Sequence, residues 1–192
     1  MPYMIRFVAF SPRMVDVTSW LQDEMMFTTY EAILDRHGPS SAYVQFRGKA
    51  QKTCKSDAIF VSAGIGTRVF SFTGLPTLDP ISHPGRDPLS KLWYADPAHE
   101  QSPFRRLFYR LHGFFPKVTV NSPTGSTCSL TATENIIGRL VNGVPGDAVC
   151  TAAAYPPAVV GSFIHIEQDA EVRQQGSWEA WADAFSAAFG KA

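Results

Sequence analysis

Leu111-His112-Gly113, the run from Phe114 to Gly125, Ser126-Thr127-Cys128, Ser129-Leu130-Thr131-Ala132-Thr133-Glu134, an apolar run to Val141, and Asn142-Gly143-Val144-Pro145-Gly146-Asp147-Ala148-Val149 form the stretch around which the chain is organised. An apolar segment ends in a histidine-glycine pair, and a short loop leads from it to a cysteine. Thr131 with Glu134 has capping-box spacing, and Ile136, Ile137, Leu140 and Val141 supply an apolar helical stripe behind it. Asn142-Gly143 stops that helix, and Asp147 to Ala154 then reads as a strand. Strand, loop, helix, turn and strand in that order predict an α+β arrangement.

The same reading extends in both directions. Tyr3 to Phe10 and Ala42 to Phe46 read as strands. Between them Thr18-Ser19 opens a helix whose stripe is Met25, Met26, Tyr30, Ile33 and Leu34, and His37-Gly38-Pro39 ends it. Ala58 to Phe72 is rich in β-formers, broken at Gly64 and Gly66. Gly74 to Pro88 carries prolines at 76, 80, 84 and 88, which predicts a long loop, placed here as a lid near the site. Leu89 to Tyr94 returns to order, Phe104 to Leu111 reads as a strand, and Lys117 to Val120 as another. Val159 to Ile166 is a further strand in which His165 points away from Ile164 and Ile166. Ser177 opens a last helix with Trp178, Trp181, Ala182, Phe185 and Phe189 as its stripe. The expectation is one domain over 1–192 with a mainly antiparallel sheet and peripheral helices. It divides into a strand-helix-strand extension (1–50), a catalytic β-rich core (54–154) and a terminal strand and helix (155–192).

The 192 residues suffice for one good core, and 45% hydrophobic with 18% charged residues is a globular composition. Formal net charge is zero, so the basic excess of a nucleic-acid binder is missing. No apolar run is long enough to span a membrane, and the N-terminus reads as a strand rather than a signal peptide. Cys54, Cys128 and Cys150 make neither a disulfide framework nor a zinc pattern, and if two of them pair the third stays free. The histidines at 37, 83, 99, 112 and 165 lack metal-ligand spacing, so neither a metal nor another cofactor is expected.

The small polar neighbours Gly125, Ser126, Thr127 and Ser129 distinguish Cys128 from a core cysteine, and they leave room for a substrate. A thiolate there, with His112 as the base, is a layout for thiol catalysis. Cys150 in its apolar context reads as core. Cys54, between Lys52 and Lys55, is a second candidate nucleophile because nearby ammonium groups favour a thiolate.

The residues His112-Gly113, Ser126-Thr127-Cys128, the helix from Thr131 and Val144 to Val149 resemble the catalytic segment of the YkuD-type L,D-transpeptidase family. The resemblance implies a mostly β fold, Cys128 as nucleophile, His112 as general base, and Gly113, Ser126, Thr127 and Ser129 lining the substrate. The implied activity is acyl transfer or carboxypeptidase-like hydrolysis on peptidoglycan stem peptides in the cell wall. For a chain with no recognisable signal, it further implies a cytoplasmic toxin or effector injected into a target periplasm, with a secretion-apparatus or immunity-protein partner. Two other readings stay open. One is a cysteine amidase resembling NlpC/P60 enzymes, using Cys54 and His112. The other is a non-catalytic binding or immunity-like module whose thiols only pack.

Overall fold

A computed structural model describes residues 5–9 (backbone only), 42–50, 52–66, 88–128 and 130–190. The expected helix between Thr18 and His37, the lid through residue 87, His37, His83 and Ser129 lie outside the described residues. The strands are β1 (Ile5–Ala9), β2 (Ala42–Gly48), β3 (Ile59–Ser62), β4 (Val120–Asn121) and β5 (Phe163–Gln168). The helices are α1 (Pro88–Ala95), α2 (Pro103–Phe114), α3 (Ile136–Val141) and α4 (Trp178–Phe189). Together they make an α+β architecture around a sheet of order β1-β2-β5-β3-β4.

The sheet is mixed, not mainly antiparallel. β1 runs parallel to β2, β2 to β5, and β3 to β4; only β3 and β5 are antiparallel. Two of the parallel pairs, β1–β2 and β3–β4, are consecutive described strands, which parallel pairing joins by crossovers and not by hairpin turns, and β5 inserts between β2 and β3.

Both faces of the sheet are covered. On the first, Ala42, Val44, Ile59, Val61, Ile164 and Ile166 meet Trp93, Phe104, Leu107, Leu111, Trp181 and Phe185 from α1, α2 and α4. On the second, Tyr43 and Phe163 meet Ile136, Ile137 and Val141 of α3, with Val144 and Val149 alongside. Two-sided burial explains why β3 and β5 are buried at every position. The approach of α3 to β5 depends on Gly138, where an added Cβ would lie 2.6 Å from the Phe163 ring.

Two expected strands are absent. Residues 104–111 are helical: Ser102 caps α2 by accepting from the Arg105 N–H, Pro103 occupies the first turn, and Phe104, Leu107 and Leu111 bury one stripe. Asp147 to Ala154 holds a short 3-10 turn at Gly146–Ala148 followed by irregular chain, with Val149 as its fully buried anchor. The helix after Cys128 also begins later than expected. Asn135, not Thr131, is its N-cap, and its Oδ1 accepts from the Gly138 N–H. In α4 the stripe is Trp181, Ala184, Phe185, Ala188 and Phe189, whereas Trp178 is exposed.

Candidate functional site

The loop between β4 and α3 carries most of the residues singled out by the sequence, and tertiary bonds hold it at four places. Cys128 is joined to Cys54 by a disulfide, with Cα atoms 5.1 Å apart. Asp57, fully buried, accepts from Asn121 Nδ2 at 2.6 Å and from the Ser126 hydroxyl, and Ser126 Oγ in turn accepts from the Cys128 N–H at 2.9 Å. Ser62 Oγ donates to the Thr131 carbonyl at 2.8 Å. Asn135 Nδ2 donates to Gln45 Oε1 at 2.8 Å. Two residues flanking these ties, Cys54 (φ 50°) and Ala132 (φ 56°), occupy the left-handed region that side chains rarely adopt.

The partner loop, which precedes β3, is fixed from below. The side chain of Lys49 is wholly buried; its ammonium pairs with Asp169 and donates to the Thr53 and Cys54 carbonyls, both at 3.3 Å. The cation therefore closes the turn that presents Cys54. Lys52, Lys55 and Ser56 project from that loop and are exposed, as are Thr124, Gly125 and Thr127 from the other. Asp57, Ser122 and Cys128 of these loops are buried.

Cys128 is 3% exposed and its sulfur is bonded to Cys54, so neither sulfur is a thiolate nucleophile in this state. His112 does not end a strand; it lies exposed near the end of α2, its ring edge-on to Phe108 at 4.8 Å. Gly113, also exposed on α2, has nothing within 4 Å of where a Cβ would stand. Ser126 supports Cys128 through its N–H, and Thr127 faces solvent. Cys150 is the described cysteine that takes no part in the disulfide, and it is half-buried. Burial pushes the nearby Arg139 guanidinium below its ordinary value, opposed by the charges of Glu134 and Cys150. Arg139 itself donates to the Thr133 and Val149 carbonyls and so braces both ends of α3.

The most concentrated polar chemistry lies on the second face of the sheet, in residues the sequence reading largely passed over. His165 does point away from Ile164 and Ile166, and its ring nitrogens meet Gln45 Oε1 and Glu167 Oε1, each at 2.9 Å. Ser62 stands opposite His165 across the β3–β5 pairing. Serine, histidine and glutamate are thus neighbours, but no nucleophile is on offer. Ser62 is fully buried and donates to a carbonyl, and both ring nitrogens are engaged. The sequence signal was present: His165 and Glu167, two apart in a strand, must share a face. Among the described residues no group of three or more His, Cys, Asp or Glu side chains could hold a metal ion. No helix among them is long and apolar enough to cross a membrane.

Neither the family models, the curated proteins nor the solved structures contain a match to this chain. What defines it is its own geometry: a mixed sheet covered on both faces, with two surface loops joined by one disulfide.

Proposed function

We propose that the chain is a non-catalytic binding module whose contact surface is the pair of loops joined by Cys54 and Cys128. The observation carrying this reading is that the two cysteines proposed as nucleophiles are each other's covalent partner, while His112 is exposed on α2 with its ring against Phe108. A surface anchored by a disulfide, a buried ammonium and a buried carboxylate has little freedom to lose on binding, which favours affinity. Its exposed groups, Lys52, Lys55, Ser56, Thr124 and Thr127, suit a ligand bearing carboxylates and hydroxyl or amide groups. A peptidoglycan stem peptide is one ligand of this class. Disulfides persist where conditions are oxidising, so the module would work outside a reducing cytosol.

The acyl-transfer chemistry implied by the resemblance to L,D-transpeptidases would belong to the reduced chain only. The test is incubation of oxidised and dithiothreitol-reduced protein with muropeptides, followed by mass spectrometry and by titration calorimetry. The binding reading predicts unchanged muropeptides in both states. It predicts that any heat of binding is weakened by Lys52→Glu with Lys55→Glu. Product formation by reduced wild type but not by Cys128→Ala would replace it with the enzyme reading.

A further inference from the structure

The hydrogen bonds around His165 fix its protonation, and the fixing begins with a backbone amide whose role is not in doubt. The Gly138 N–H can only donate, and it points at one atom of the Asn135 side-chain amide at 2.8 Å. That atom is therefore the oxygen, and the Asn135 nitrogen is the donor to Gln45. The Gln45 atom receiving it must then be the carbonyl oxygen. Since His165 Nδ1 lies 2.9 Å from this same oxygen, Nδ1 carries a proton. The other ring nitrogen, Nε2, faces Glu167 Oε1 at 2.9 Å, so one proton lies between them.

We infer that His165 is a buried imidazolium paired with the Glu167 carboxylate on the face of the sheet that α3 covers. The members are buried: His165 is 2% exposed, and Gln45 and Glu167 are each 5%. A charged ring there is held by two acceptors and an opposite charge, the conditions under which the ionised form is favoured. The groups facing the pair are known from each packed element. From β2 come Gln45 and, in register with Glu167, the exposed Arg47; Tyr43 lies further along that strand. From β3 come Ser62 opposite His165 and Phe60 opposite Glu167. Phe163 stacks beside the His165 ring on β5 itself. The Arg139 guanidinium of α3 is turned to the Thr133 and Val149 carbonyls.

Loss of the proton sets the Nε2 lone pair against a carboxylate oxygen. The His165–Glu167 contact is then lost, while Nδ1–H keeps its bond to Gln45. The sign follows from proton counts. Above about pH 6.5 an unfolded histidine is neutral, so a folded chain that holds one proton more than the unfolded chain loses stability as pH rises. A difference of one proton raises the unfolding constant about tenfold per pH unit.

Glu167→Gln separates this account from a merely structural role. A glutamine can turn its amide to donate to Nε2, completing the network around a neutral ring that needs no second proton. The test is ring nitrogen-15 spectroscopy of the wild-type chain near pH 8, where an exposed histidine is neutral, about 1.5 units above its ordinary midpoint. Two protonated-type nitrogens on His165 are expected. In urea titrations between neutral pH and the alkaline limit of folding, the wild type should lose stability with rising pH and Glu167→Gln should not. One unprotonated ring nitrogen in the wild type, or equal pH slopes in the two chains, overturns the inference. If Glu167→Gln does not fold, the wild-type spectrum decides by itself.

Discussion

Cys54 and Cys128 are covalently joined across a sequence separation of 74 residues, and this bond ties the loop before β3 to the loop after β4. The two strands are parallel neighbours, with Ile59 opposite Val120, so the loops meet because the sheet places them side by side. The bond thus closes a contact that the fold already makes.

Removing it should be costly. Closing a loop of this length lowers the entropy of the unfolded chain by an amount worth about 4 kcal/mol. Cys54→Ser, or reduction, should lower the free energy of urea-induced unfolding by up to that figure. Cys150→Ser should leave the disulfide intact.

Asp57 is the polar counterpart of the disulfide. Its two oxygens receive Asn121 and Ser126, and Ser126 passes the order on to the Cys128 amide. Asp57→Asn keeps the shape but replaces one accepting oxygen by a donor, so either Asn121 Nδ2 or the Ser126 hydroxyl loses its acceptor. The expected loss is about 1–3 kcal/mol, read from the denaturant midpoint, because a buried polar group is left unmatched. Asp57→Asn should also hasten amide exchange at Cys128.

The sequence made the direction of His165 legible, because strand alternation alone opposes it to Ile164 and Ile166. It also located β1, and β2 and α4, the last two where propensity and burial agree. It misread α2, whose aromatic and apolar residues suit a strand by type. The decisive signals there were Ser102-Pro103 and the three- and four-residue spacing of Phe104, Leu107 and Leu111. The Cys54–Cys128 pairing was hidden for a different reason. It depends on β3 lying next to β4, and no local pattern reports which strands become neighbours. The catalytic layout around His112 rested on a strand that is a helix, so its histidine ended on the surface.

Gly138 should be intolerant of a side chain. An alanine Cβ would sit 2.6 Å from the Phe163 ring. Gly138→Ala should cost about 1–3 kcal/mol through overpacking, despite alanine's better helix propensity. Adding Phe163→Leu should recover part of that loss, and a double-mutant cycle in urea would show the coupling.

Tyr94 should make stability fall in strong alkali. Its hydroxyl accepts from the Ala63 N–H at 2.9 Å and donates to the Ile65 carbonyl at 3.0 Å. Burial raises its ionisation well above the ordinary tyrosine value, against the weaker lowering effects of the Ala63 hydrogen bond and Arg105. The folded chain therefore keeps a proton that the unfolded chain loses above about pH 10, so stability is present below that value and declines as pH rises beyond it. Tyr94→Phe should be less stable at neutral pH by about 1–3 kcal/mol, because it strands two backbone groups. Above pH ~10 its stability should decline less steeply than the wild type's, as followed by near-ultraviolet circular dichroism.

The central claim is that Cys54 and Cys128 are spent on each other, leaving a binding surface and no thiol nucleophile between them. The most direct measurement is the intact mass of the unreduced protein after alkylation with iodoacetamide in denaturant. The account predicts a single adduct, mapped to Cys150, and further adducts on Cys54 and Cys128 only after reduction. Alkylation of Cys128 without reductant would contradict it.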